Sequence, residues 1–456
     1  MEHTSLRDRD IAYQIHPHTN FGAHEAAGPM VIASGRGVFV TDDAGNEYLE
    51  GMSGLWCTNL GFSEPRLADA AARQFARLPY YQNFANKATE PAIQLAENLI
   101  RHAPAPMSKV LFQSSGSEAN DTAMKLVWYY HHGIGKPEKR KIVSRQRSYH
   151  GTSIATGSLT GLPHIHRDFN LPISGIVHVS CPHFYRGAEP GETEEDFSAR
   201  LADELEQTIL REGPDTVGGF IAEPVMGTGG VVVPPRGYFE RVQAVLKKYD
   251  ILFIVDEVIC GMGRTGHWWG AEAYALEPDM LVSAKGLSSA YLPISALLIN
   301  EKVYAVLKAQ TAKIGLFGHG YTYGGHPVCA AVANEVFEIY RERDVIGHAS
   351  KMGEIFQRKL RERAEHPLVG EARGLGLMGA LELVEDKATR AAFPAERKVA
   401  ASVSAFAAQA RLNVRPLGDA ICIAPPVIIN ESELDLLFER LDTALDEALA
   451  TVRGTR

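Results

Sequence analysis

Apolar residues in this chain come in two textures: short unbroken runs that end abruptly on polar residues, and longer stretches with helical spacing. The run 251–255 is rich in β-branched side chains, and its length and composition suit a strand buried on both faces of a parallel sheet. It stops at Asp256 and Glu257. A second run, 280–282, stops at Ser283, Ala284, Lys285 and Gly286. Runs at 110–112, 141–143, 217–222 and 294–298 read as further strands. Among them, 65–78 and 90–102 have helical spacing, with Pro91 near a first helical position. A further helix opens after Ser114 and Ser115 and places Ala119, Ala123, Leu126 and Val127 on one face, and another runs to about 249.

Other stretches read differently. Residues 1–30 are polar and irregular; His16, His18 and His24 lie close together without ligand spacing, so the segment reads as a loop that packs on a partner subunit and not as a metal site. From Gly37 two alternating segments flank Asp43, Ala44, Gly45 and Asn46, the pattern of a hairpin. The region 182–200, with Glu189, Glu192, Glu194, Glu195 and Asp196, reads as an exposed acidic connection. From about 328 a long helix, strands around 374–379, a helix near 397–411, two short strands and a final helix from 431 to about 451 read as a separate α+β domain.

With 456 residues and 45% hydrophobic content, the chain can build a large core and divide into more than one domain. A net charge of −9 without a basic run argues against a nucleic-acid or anionic-membrane partner. The five cysteines are scattered and form no C-x-x-C pair, which points to a reducing cytoplasm without disulfides or a zinc site. No apolar run approaches the ~20 residues of a membrane helix, and Met1 to Thr4 do not begin like a signal peptide. The expected location is cytoplasmic.

Strand ends at the carboxyl edge of an open α/β sheet face the crevice where ligands bind. Asp256 and Lys285 both follow such runs. An amine there can form a Schiff base with a carbonyl cofactor, while a carboxylate can keep a pyridine nitrogen protonated so that the ring draws electrons. Pyridoxal phosphate needs that pairing. Taken singly, a lysine after a strand is usually a solvated loop residue and an Asp-Glu pair usually a cap. Gly261, Gly263 and Gly266 also fit a dinucleotide-binding glycine pattern, but His267, Trp268 and Trp269 follow where a close-packed helix should open.

The run Asp256-Glu257-Val258, Gly261, Gly263, Asp279 and Ser283-Ala284-Lys285-Gly286-Leu287-Ser288-Ser289-Ala290 resembles the signature of the class III, or ω-type, pyridoxal-phosphate-dependent aminotransferases, and the likeness extends over nearly the whole chain. It implies an α/β fold of fold type I, with a mostly parallel sheet in a large domain over 63–327. The smaller α+β domain would comprise 328–456 joined by the segment 1–62. It further implies Lys285 as the Schiff-base lysine, Asp256 as partner of the pyridinium nitrogen and Val258 against one ring face. Gly116 and Ser117 would hold the phosphate, where the free N–H groups of a helix start suit an anion. Tyr149 would stack on the cofactor, with Glu223 nearby, and Thr322 would reach the phosphate of the neighbouring subunit in a homodimer. Trp56 and Phe84 would line the substrate pocket, and Arg415 would take the substrate carboxylate, with Arg411 the weaker candidate; Phe317 and Tyr321 are further pocket candidates, and His150 reads as structural. Each of these side chains, taken alone, also fits ordinary core packing, a cap or a surface pair.

The implied reaction moves an amino group from an ω-amine or ω-amino acid to a keto acid such as pyruvate. An aminomutase or racemase on the same fold is the alternative, and a non-catalytic regulator that binds the cofactor is a third reading. The amine is left open among β-alanine, γ-aminobutyrate, diamines, taurine and arylalkyl amines, because a few pocket atoms decide among them.

Overall fold

A computed structural model describes residues 5–454, so the reading of Met1 to Thr4 lies outside the described residues. Seven strands form the central sheet, in the order Lys109–Gln113, Ser295–Ile299, Met280–Ser283, Leu252–Asp256, Val217–Ala222, Lys141–Arg145 and Ile176–Val179. Only Ser295–Ile299 runs against its neighbours. The three strands at the middle, Met280–Ser283, Leu252–Asp256 and Val217–Ala222, are buried throughout, as their unbroken apolar runs require. Burying each Ile, Leu or Phe side chain of these runs contributes about 1.5–3 kcal/mol. Asp256 pairs in register with Val282, so the acid and the lysine three residues after Val282 leave the sheet at one edge.

Helix Gly116–Gly133 covers one face. Its Ala119, Ala123, Leu126 and Val127 are buried against Ile254, Met280, Val282 and Leu297, the face expected from spacing. Pro65 and Pro91 stand in the first turns of helices Pro65–Arg77 and Glu90–Arg101, where a missing N–H costs nothing. The expected hairpin is formed by Phe39–Asp42 and Glu47–Glu50, its turn fixed by Asp42, whose carboxylate accepts from the backbone N–H groups of Ala44 and Asn46. Strand Leu412–Asn413 joins this hairpin in parallel, so the two ends of the chain share a sheet. A third sheet runs in the order Val369–Leu375, Met378–Leu383, Ala420–Ile423, Arg415–Leu417.

Several expectations are corrected. The first thirty residues are not a loop: they contain helices Leu6–Tyr13 and Phe21–Ala27, capped by the side chains of Ser5 and Asn20. Their apolar content is too low for the periodic signal to show. The acidic stretch is not merely a connection. Glu194, Glu195 and Asp196 form the first turn of helix Glu194–Glu212, where negative charge offsets the exposed N–H dipoles, and Phe197, Leu201 and Leu205 behind them are buried. Strand Ile176–Val179 and helices Glu301–Ile314 and Val345–Glu362 were not foreseen. The glycines at 261, 263 and 266 open no helix; Gly263 and Gly266 take positive φ in a turn, which removes the dinucleotide reading. Among the described residues no helix is long and apolar enough to cross a membrane.

Candidate active site

A cavity opens at the carboxyl edge of the central sheet, lined by Trp56, Gly116, Ser117, Tyr149, Glu223, Asp256, Val258, Lys285 and Arg415 among others. Nine of the residues expected from sequence therefore meet in one place. Phe84 and Thr322 do not. Both are exposed, Phe84 lies against Gly320, and the Tyr80 hydroxyl donates to the Thr322 carbonyl. Phe317 packs edge-on to Tyr129 and Tyr321 to His319, both outside the cavity. Arg411 is held by Tyr48 and Asn46 and does not reach the cavity either.

Asp256 is buried, with 3% of its surface exposed, yet its carboxylate is well supplied with donors. Oδ2 accepts from Asn120 Nδ2 at 2.7 Å and lies 2.7 Å from His150 Nδ1, and Oδ1 accepts from the Val258 backbone N–H at 3.0 Å. A carboxylate offers about four acceptor sites, so one remains for a ligand. Asn120 was not foreseen from sequence. It lies one helical turn beyond Gly116, and that i, i+4 spacing was the available signal. His150 also lines the cavity, with its Nδ1 against Asp256.

Lys285 sits in the left-handed region, with φ 49°, two residues after the strand Met280–Ser283. Backbone held there by a bulky residue is strained, and such strain collects at functional sites. No hydrogen bond or ion pair engages its amine among the described residues, and burial holds its pKa below that of an ordinary lysine, against the raising influence of Cys57, Asp256 and Glu223. A fraction of the amine is thus closer to its nucleophilic, neutral form than on a solvated lysine.

The remaining walls follow the same logic. Helix Gly116–Gly133 begins at the cavity, capped by Ser115, and its first N–H groups have no intrahelical acceptor. A Cβ added at Gly116 would come within 3.1 Å of both Val258 methyl groups, so glycine lets the helix start approach that wall. Glu223 is buried; it accepts from the backbone of Tyr149 at 3.1 Å and Gly227 at 2.9 Å, and burial raises its pKa. Burial likewise raises the Tyr149 hydroxyl and lowers the Arg415 guanidinium, which has no ion-pair partner among the described residues. Leu55, Leu162 and Ile259 add apolar wall, and a second arginine, Arg147, lines the cavity with its Nη1 3.1 Å from His183 Nδ1.

A lysine amine and a buried carboxylate at one sheet edge, with a helix start free to bind an anion, define the site of a pyridoxal-phosphate enzyme of fold type I. The residues present fit that cofactor in the unused acceptor position of Asp256, the unengaged amine of Lys285 and the side-chain-free approach at Gly116. The family model of class-III aminotransferases matches residues 21–445, and the chain belongs to that family. It is similar to a chloroplastic gamma aminobutyrate transaminase of Solanum lycopersicum, 47% identical over 420 residues that cover 92% of this chain and 81% of the relative. The omega transaminase of Pseudomonas jessenii solved in complex with PMP superposes with a TM-score of 0.97 at 49% identity, covering 98% of this chain and 99% of that one. A thermostable omega transaminase with a tryptophan, a phenylalanine and an arginine replaced, engineered for asymmetric synthesis of enantiopure bulky amines, superposes with a TM-score of 0.97 at 48% identity, covering 98% of this chain and all of that one.

Proposed function

We propose that the protein transfers an amino group from an ω-amine or ω-amino acid to pyruvate, working as a homodimer in the cytoplasm. The family's cofactor supplies an aldehyde to carry the amino group and a ring to take up electrons. Asp256, braced by Asn120, His150 and the Val258 N–H, would hold the proton on the ring nitrogen. Lys285 would hold the cofactor through its amine, and that amine, its pKa lowered by burial, would take and return the proton at the substrate carbon. Gly116 and Ser117 would hold the phosphate and Tyr149 and Val258 the ring, while Glu223 accepts from the Tyr149 backbone N–H.

One pocket must accept an apolar amine and a carboxylate in turn. Trp56, with 1% of its surface exposed, gives the apolar wall, and Arg415 gives the charge. The three replaced positions of the engineered transaminase are separated by 28 and 331 residues, the same intervals that separate Trp56, Phe84 and Arg415 here. Phe84 and Thr322, exposed on the single chain, serve the pocket of the partner subunit. The observation that carries the reading is the unengaged Lys285 amine beside the buried Asp256 carboxylate.

The visible spectrum of the purified holoenzyme tests it. Titration with a panel of amines bleaches the cofactor band with at least one donor, and pyruvate restores it with formation of alanine. Lys285→Ala abolishes both changes and lowers turnover by about 10⁴-fold or more, the upper range for a group that moves protons. A band that no amine bleaches, or bleaching that no keto acid reverses, sinks the transfer reading in favour of an isomerase or a regulator.

A further inference from the structure

The two N-terminal helices bring together side chains that the proposed transfer does not use. Asp10, on Leu6–Tyr13, and His24, on Phe21–Ala27, face each other across the turn that carries His16. His16 Nε2 lies 2.9 Å from Asp10 Oδ2 and 3.0 Å from Oδ1, and His24 Nε2 lies 3.1 Å from the same Oδ2. The three ligand atoms lie within 4.8 Å of one another, and the imidazole centroids are 4.4 Å apart. Both rings thus aim the same kind of nitrogen at one carboxylate oxygen, in a site that solvent reaches mainly from the His16 side, where exposure is 30% against 16% for Asp10 and 11% for His24.

We propose that Asp10, His16 and His24 bind a divalent transition metal, zinc being the fitting ion, and that the ion clamps the N-terminal segment at the rim of the active-site cavity. Zinc bonds to histidine nitrogen and carboxylate oxygen run about 2.0–2.2 Å, so donors around a tetrahedral ion stand about 3.3 Å apart. The nitrogen-to-oxygen separations of 2.9 and 3.1 Å need open by only a few tenths of an ångström. Two imidazoles and one carboxylate suit zinc ahead of calcium or magnesium, which prefer all-oxygen sites. The His16 side leaves a fourth position for water.

The consequence for the cavity comes from His18. It follows His16 by two residues, lines the cavity and sets its ring edge-on to His164, 6.0 Å between centroids. An ion that ties Asp10 and His24 to His16 fixes the turn that carries His18. The sequence reading set metal aside because His16, His18 and His24 lack ligand spacing; Asp10 joins His16 and His24 only through the fold of two short helices.

The full-length holoenzyme, stripped with a chelator, is dialysed against zinc chloride and then against metal-free buffer, and zinc per chain is measured. The wild type retains one zinc, while the double variant His16→Gln/His24→Gln retains none, with its affinity lower by at least about 100-fold, the upper range for loss of even an outer partner of a metal site. An unchanged cofactor spectrum shows that the variant is folded. Asp10→Asn, which keeps a hydrogen-bonding oxygen, also weakens binding if the double variant proves unstable. Zinc slows amide exchange over residues 5–27 in the wild type and not in the variants. Equal zinc in wild type and variants, or none in the wild type, overturns the site, and binding without slower exchange overturns the clamp.

Discussion

Arg415 is the residue whose environment says most about what the cavity receives. Its guanidinium is partly desolvated and has no ion-pair partner among the described residues, so a carboxylate that reaches it gains hydrogen bonds to a charged group worth about 1.5–3 kcal/mol. Arg415→Leu is expected to raise the KM for pyruvate roughly 10- to 150-fold, while the half-reaction with an apolar amine changes little. Steady-state kinetics with each half-reaction measured separately checks this; equal losses in both halves would show that Arg415 supports the fold of the pocket instead of binding the keto acid. At this scale the sequence was legible where a residue's place follows from its own strand. Asp256 and Lys285 each end an apolar run, and both reach the cavity. Asn120 and Arg147 were not legible. Asn120 matters only because its helix lies across the sheet from Asp256, and Arg147 enters the cavity through a loop whose path no periodicity fixes.

Among elements, the helix Glu194–Glu212 shows how composition alone misleads. Its acids are helix-start charges, not a solvated linker, and Thr193 holds the first turn by accepting from the Asp196 N–H at 3.2 Å. Thr193→Ala is expected to cost about 1 kcal/mol, the usual loss for a helix cap. A fall in the urea midpoint without a change in slope would register it, and no fall would mean that packing of Phe197 and Leu201 alone holds the start. Helices Pro65–Arg77, Glu90–Arg101, Gly116–Gly133 and Tyr238–Lys248 are legible in the sequence to within a few residues, as are the buried strands, whereas Glu301–Ile314 and Val345–Glu362 are not. Short helices at the N-terminus escaped, since Leu6–Tyr13 and Phe21–Ala27 bury no residue and so carry no stripe.

In the molecule as a whole, a chain of buried and half-buried charges joins the segment that follows strand Ile176–Val179 to the C-terminal sheet. Arg186 Nε donates to Glu382 at 2.8 Å, Arg373 pairs with Glu382 at 2.8 Å and with Glu371 at 2.7 Å, and His183 meets Glu371 at 3.0 Å. Burial works to raise the Glu382 pKa, but Arg373, His183 and Arg186 outweigh it and hold it down to about 2 from an ordinary 4.5. Because the folded value is depressed, this stabilisation is complete above about pH 4.5 and is lost as pH falls through about 2. Glu382→Gln is therefore expected to cost about 3 kcal/mol at pH 7, with the deficit shrinking between pH 4.5 and 2. Chemical denaturation of both proteins at a series of pH values checks the sign; a deficit that does not shrink with acid would assign the loss to packing. No single-sequence pattern revealed this network, since its members lie in three separate segments that only the fold collects.

The reversed strand Ser295–Ile299 has a temporal meaning. It lies between Met280–Ser283 and Lys109–Gln113, pairing Ala296 with Ser283 and Ser295 with Gln113, and so closes the loop that carries Lys285. A nascent chain released from the ribosome only as far as Ala290 would possess both the lysine and the acid, yet the wall that joins the lysine's loop to the helix start at Gly116 would still be missing. Maturation of the site during synthesis thus waits for a strand that comes after both Asp256 and Lys285.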